Sequence, residues 1–287
     1  MKGIVTEAVG GFFYVVDDEG QKHRCEVRGR VQEQIFPGDR VVFENWMIEE
    51  IIPRDNLLHR PKVANVDAVN IMFSIKEPEI DFSLLDRFIL LVEKEGLNPV
   101  ILINKLDLDS DFPAKQEDKI TAYKNAGYSV HIFSVSKGTN LQVVKESLFA
   151  GINVMAGPSG VGKSALINEL VSGAELTVGD ISEKLGRGTH TTRQVKLVPL
   201  PGNGWVADSP GFTSLTLENL KPEEVKNYFP DFSGYQNKCH FSTCTHTHEP
   251  DCFVKESVEN NEIPEFRYNS YCQLVEAARK EGDDHYS

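Results

Sequence analysis

The eight residues GPSGVGKS, positions 157–164, constrain the fold of this chain more than any other stretch. They fit G-x-x-x-x-G-K-[ST] in full, between an apolar run of strand character, INVMA, and a helical run, SALINELV. A strand, a glycine-rich turn and a helix in that order form one unit of a parallel α/β sheet. Gly157, Pro158, Ser159, Gly160, Val161 and Gly162 can turn backbone N–H groups inward at a helix N-terminus, where phosphate oxygens bind. Lys163 is then placed to neutralise the outer phosphates, and the Ser164 hydroxyl to hold Mg²⁺. A glycine turn that merely capped a helix would have no need of Lys and Ser in this register.

Strand-like and helical runs alternate around the loop. VDAVNIMFSI, PVILIN, SVHIFSV, INVMAG, VKLVPL and GWVAD have strand character, and SLLDRFILLVEKEG is an amphipathic helix ending at Gly96. This alternation predicts a mainly parallel sheet covered by helices. The first sixty or so residues read otherwise. Short β-rich runs separated by Gly and Asp-Glu-Gly turns predict a small barrel, of which the oligonucleotide-binding (OB-fold) type is the natural candidate. Beyond about residue 218 the chain turns polar, short-helical and, at its end, strongly acidic.

A phosphate loop does not choose its base. Fifty residues earlier, Asn104-Lys105-Leu106-Asp107 has the form N-K-x-D, directly after the strand run PVILIN. The two carboxylate oxygens of Asp107 can accept from guanine N1–H and its exocyclic amine, whereas adenine would leave a carboxylate unpaired. Asn104 would brace the loop and the Lys105 stem would lie against the base. After the next strand, Ser134-Val135-Ser136 would present N–H groups to the guanine oxygen. Downstream of the loop, Asp208-Ser209-Pro210-Gly211 matches D-x-P-G: Asp208 would hold Mg²⁺ through water, and the Gly211 N–H would meet the γ-phosphate. Between them GRGTHTTR offers Thr191 and Thr192, either of which could be the Mg²⁺-sensing threonine of the first switch. All the parts of a GTPase are present, in the order base, base, phosphate loop, first switch, second switch. Such a rearrangement requires only that the original termini lie close together.

Three of the five cysteines are clustered with histidine. Cys239-x4-Cys244-x-His246-x5-Cys252 supplies three sulfurs and a nitrogen, a donor set suited to tetrahedral Zn²⁺ with no open position for catalysis. His240 and His248 compete with His246 as the fourth ligand. Cys25 and Cys272 are isolated and expected to be inert. The net charge of −13 argues against an indiscriminate nucleic-acid coat, though not against docking on a large ribonucleoprotein through local basic patches. No apolar run approaches the roughly 20 residues needed to span a bilayer, and the N-terminus lacks a signal-peptide layout, so a cytoplasmic protein with no membrane partner is expected. Nothing demands a dimer, and a monomer is expected.

Taken with these motifs, the chain resembles the circularly permuted GTPases of bacterial small-ribosomal-subunit maturation, the RsgA or YjeQ family. The resemblance covers essentially the whole chain. It implies an OB-fold barrel over 1–62, a permuted GTPase domain over 63–217 and a zinc-binding tail over 218–287. It also implies His246 as the fourth zinc ligand, slow GTP hydrolysis stimulated by the small (30S) subunit, a late maturation role, and ribosomal RNA as a contact. The glutamine that often follows D-x-x-G to orient water is replaced by Phe212, so slow unaided turnover is expected. His190, beside Thr191, is the preferred candidate to position water, with Arg187 and Arg193 flanking the same stretch. Two other readings stand beside this one: an RNA-binding scaffold whose nucleotide pocket is structural, and an ATPase or kinase, which Asp107 disfavours.

Overall fold

The computed structural model describes residues 1–29, 31–172, 195–212, 217 and 220–284. The chain opens with five strands, β1 (Lys2–Val9), β2 (Phe12–Asp17), β3 (Lys22–Val27), β4 (Arg40–Glu44) and β5 (Met47–Ile51). Their order is β1-β2-β3-β5-β4, and β4 returns to pair with β1, closing the expected barrel. Alternation puts Val5, Val15, Cys25, Val41, Phe43 and Ile48 inside it, and Cys25 is a packing residue there. A hairpin of β6 (Leu57–His59) and β7 (Lys62–Ala64) follows. It touches the barrel through Ala64 N–H to the Pro37 carbonyl, while Leu58 and Val63 enter the next core.

That next core surrounds a sheet. Its elements are β8 (Ala68–Ser74), α1 (Phe82–Lys94), β9 (Pro99–Asn104), α2 (Phe112–Lys115), α3 (Glu117–Asn125), β10 (Ser129–Ile132), α4 (Leu141–Leu148), β11 (Ala150–Ala156), α5 (Lys163–Ser172), β12 (Lys196–Pro199) and β13 (Asn203–Phe212). The strands lie β10-β9-β8-β11-β13-β12, all parallel except β12, which runs antiparallel to β13. Period-two alternation sorts the side chains by face. Val69, Ile71, Phe73, Ile101 and Val154 join the α1 residues Leu85, Phe88 and Val92, whereas Met72, Leu102, Met155 and Val206 join Val144 of α4 and Leu166 of α5. Helix α1 starts where the Asp81 carboxylate accepts from the Ser83 and Leu84 N–H groups, and it stops before Gly96 in left-handed conformation. The edge strand β12 meets β1 at Lys196 and Glu7, which joins sheet and barrel.

The tail departs from the short-helical expectation. After several 3₁₀ turns and α6 (Phe253–Glu259) it ends in α7 (Glu265–Asp284), a helix of 20 residues. Its buried face reads Arg267, Ser270, Tyr271, Leu274, Val275 and Ala278. The spacing is helical, but two of those six residues are polar, which hides the stripe from a hydrophobicity pattern. Arg267 is fully buried between Asp86 of α1 and Asp231 of the tail. Among the described residues no helix is long and apolar enough to cross a membrane.

Candidate nucleotide site and metal centre

From β8 the chain proceeds outward to β9 and β10; from β11 it proceeds the other way, to β13. The C-terminal ends of β8 and β11 thus flank a topological switch point, where open α/β sheets bind ligands. The phosphate loop leaves β11 at this place. Gly157 has φ +124°, and a Cβ there would lie 2.0 Å from the Met72 carbonyl oxygen of β8. Gly162 has φ +106°, and its Cβ would lie 2.4 Å from Asn104 Nδ2. Only glycine fits either position. Ser159 and Gly160 are exposed and Val161 is buried beneath them, so the loop is anchored from below and open above. The Lys163 ammonium, at the start of α5, donates to the Gly157 and Pro158 carbonyls at 2.7 and 2.6 Å, and burial lowers its pKa. Ser164 is exposed in the first turn of the same helix.

Asn104, the last residue of β9, connects the motifs that the permutation separates in sequence. Its Nδ2 donates to the Val161 carbonyl at 2.9 Å, and its Oδ1 accepts from the Val135 N–H at 3.1 Å. One buried amide therefore joins the N-K-x-D turn, the phosphate loop and the Ser134-Val135-Ser136 segment. The Asp107 carboxylate accepts from the Ser134 hydroxyl, which lies 3.1 Å from the Ser136 hydroxyl and accepts from the Lys137 N–H at 3.1 Å. That hydroxyl contact is the main reason the Asp107 pKa is lowered, so the carboxylate stays ionised and acceptor-only at neutral pH.

Lys105 sits in left-handed conformation at φ +66°, and its ammonium donates to the Glu77 carbonyl. This contact identifies a wall the motifs did not indicate. The segment after β8 folds over the site, held by Ser74 Oγ donating to the Pro78 carbonyl at 2.7 Å, and a Cβ at Gly160 would stand 3.7 Å from Pro78 Cδ. Pro78 within KEPEI was the only visible sign of a fixed turn there. On the other side, Asp208 lies in β13 opposite Lys196, and Phe212 lies opposite Ala156, the last residue before the loop; Gly211 precedes Phe212 in the same strand. His190, Thr191 and Thr192, with Arg187 and Arg193, lie outside the described residues.

The second cluster is in the tail. One donor atom from each of Cys239, Cys244, His246 and Cys252 lies within 4.8 Å of the others. His246 Nδ1 stands 3.4 Å from Cys239 Sγ and 3.5 Å from Cys252 Sγ, so Nδ1 is the nitrogen presented to the group. His240 and His248 are exposed and outside the cluster, which decides between the three histidines. Burial raises the Cys244 thiol to about 12 and lowers His246 to about 4, leaving a neutral imidazole with an available lone pair. The loop is bound to its surroundings by Tyr268 Oη donating to the His246 carbonyl at 2.9 Å and by Lys226 Nζ donating to that of Cys244 at 2.9 Å. Four converging soft donors fit a tetrahedral metal ion.

A phosphate loop at the switch point of a parallel sheet, with N-K-x-D earlier in sequence and D-x-P-G later, defines a P-loop GTPase with a permuted chain order. The RsgA GTPase family model matches residues 51–218. The chain belongs to this family. It is 39% identical over 284 residues to the small ribosomal subunit biogenesis GTPase RsgA of Clostridium novyi, covering 96% of this chain and 97% of the relative. Among solved structures it is similar to YjeQ from Thermotoga maritima, with a TM-score of 0.84 and 37% identity over 96% of this chain and 98% of that one. It is also similar to YloQ, a circularly permuted GTPase, with a TM-score of 0.81 and 32% identity over 97% and 95% of the two chains.

Proposed function

We propose that this GTPase serves late maturation of the small ribosomal subunit, contacting that subunit and its RNA and hydrolysing GTP faster when bound to it. The observation that carries the guanine-nucleotide part is the Asn104 amide, which makes the base-reading turn and the phosphate loop one rigid unit. The partner reading is supported by relatives matched over nearly their whole length that are small ribosomal subunit biogenesis GTPases. Lys163 would neutralise the β- and γ-phosphates, with Gly157, Pro158, Ser159, Gly160, Val161 and Gly162 supplying the cradle. Ser164 and Asp208 would hold Mg²⁺, whose charge offsets that of the phosphates, together with Thr191 or Thr192. Gly211 would meet the γ-phosphate. His190 would position the attacking water, because the Phe212 ring offers it no hydrogen bond. A subunit-bound state that sets His190 against the attacking water would then account for stimulation.

The metal in the tail is read as zinc, one per chain, in a structural role. Chelation is expected to release about one equivalent of zinc and to lower the melting temperature of the tail, with its thiols becoming reactive to a disulfide reagent. Less than half an equivalent, or an unchanged melting curve, would remove the zinc assignment.

The test of function is steady-state GTP hydrolysis with and without purified small subunits, with large subunits and ATP as controls. Stimulation of about ten-fold or more by small subunits alone is expected, and a fall of about a hundred-fold or more in Lys163→Ala. Equal effects of both subunits would argue against the partner. Turnover surviving in Lys163→Ala would argue against the site.

A further inference from the structure

The wall over the nucleotide site is held by a residue that belongs to none of the GTPase motifs. Residues 76–79, between the buried Ile75 and the half-buried Ile80, are exposed, and Glu77 within them is in left-handed conformation at φ +56°. Keeping such a segment in one shape costs entropy and some backbone strain, so it needs fixed contacts. Ser74, the last residue of β8 and 0% exposed, donates its hydroxyl to the Pro78 carbonyl at 2.7 Å. The carbonyl one residue earlier, that of Glu77, accepts from the Lys105 ammonium. Lys76 also pairs with Asp109 at 3.3 Å, but its side chain is half exposed and such a pair adds little. At the root of the wall the Ile75 N–H donates to the Asn104 carbonyl at 3.0 Å, so the segment starts from a rigid point. The Ser74 hydroxyl is therefore the buried group that sets where the Glu77 carbonyl stands.

We propose that Ser74 is a positioning residue for the nucleotide: by fixing the wall of Glu77 and Pro78 it presets the Lys105 stem that covers the base. The inference rests on the reading of Lys105 as lying against guanine. A lysine side chain is a flexible four-carbon stem, and a free one would lose its rotamer freedom on packing against a ring. Here the ammonium is already held by a fixed carbonyl through a charge-assisted bond, so much of that loss precedes nucleotide binding. The stem meets the flat face of the base and not the phosphates. GDP and GTP should therefore draw on the effect alike.

Titration calorimetry on the full chain, with GDP and with a non-hydrolysable GTP analogue, tests the idea. Ser74→Ala is expected to weaken both ligands by the same factor, about three-fold or more. Lys105→Ala should weaken both by about ten-fold, and adding Ser74→Ala to it should cost less than about a further two-fold. An additive loss in the double variant would mean that Ser74 supports the sheet without acting through Lys105. Undiminished affinity in Ser74→Ala, or a loss confined to the GTP analogue, would also overturn the proposal. Ser147→Ala in α4 removes a hydroxyl-to-carbonyl bond of the same kind, to Val144 at 2.8 Å, and should change neither ligand. An equal loss there would reduce the Ser74 effect to a general loosening. Lys105→Ala alone separates the two layers. If it leaves both nucleotides as tightly bound as before, the reading of Lys105 fails and the proposal with it; if it weakens them and Ser74→Ala does not, the positioning role alone fails.

Discussion

Asp107→Asn is expected to weaken GTP binding by about a thousand-fold while raising the affinity for XTP. The carboxylate presents two acceptors, and the hydroxyl of Ser134 keeps it ionised. Guanine offers two donors side by side, N1–H and the exocyclic amine. A carboxamide replaces one acceptor with a donor, so an N–H would face an N–H and one bond would turn repulsive. Xanthine carries a carbonyl where guanine carries the amine, and this restores the match. Because Asn104 and its bonds to Val161 and Val135 are untouched, the phosphate loop should keep its shape. The result is read by displacement of a fluorescent guanine nucleotide with GTP and XTP. Undiminished GTP affinity in the variant would show that the turn before the phosphate loop does not read the base.

Arg267→Ala should cost about 3–5 kcal/mol of stability. Arg267 is 0% exposed, and it faces Asp86, also 0% exposed, and Asp231, 5% exposed. Its Nη2 lies 2.7 Å from Asp231 Oδ2, and its guanidinium stacks over the Phe229 and Tyr123 rings at 4.7 and 5.0 Å. Burial raises the Asp86 pKa even against the pull of Arg267, so without the guanidinium that carboxyl would have to take up a proton or unfold its surroundings. Tyr123 Oη, which donates to Asp86 at 2.7 Å, could replace only part of the loss. Urea denaturation followed by circular dichroism measures the effect, and a cycle with Asp231→Ala isolates the pair. A loss below about 1 kcal/mol would mean the cluster is open to water in solution.

The parts of this molecule visible in the sequence are those in which local chemistry and chain order coincide. PVILIN became β9 without a residue of error, because a run of apolar β-formers bounded by Asn-Lys has few other uses. The loop 157–164 was legible because the glycines it requires are required by backbone geometry, at φ +124° for Gly157 and +106° for Gly162. What stayed hidden depends on partners far away in sequence. Arg267 in a polar tail looks like a solvated charge until Asp86, 181 residues earlier, is placed beside it. Spacing left His240, His246 and His248 open; the choice of His246 came from the family resemblance, and it is the buried one of the three, inside the cysteine cluster. The wall formed by Glu77 and Pro78 became apparent only once Lys105 was seen to reach it.

The pairing of β1 with β12 at Glu7 and Lys196 bears on how the molecule is made. A parallel sheet ending in a short strand such as β12 exposes unpaired N–H and C=O groups, an invitation to any neighbouring chain with a free edge. The barrel sits against this edge: β1 pairs with β4 through Lys2, Gly3 and Ile4, and further along it presents Glu7 to β12. It also precedes the sheet in the chain, its last strand ending at Ile51 and β12 beginning at Lys196. The strand that ends the sheet therefore meets a partner encoded ahead of it on the same chain. The barrel that reads as a binding module thus also covers the exposed edge of the catalytic sheet.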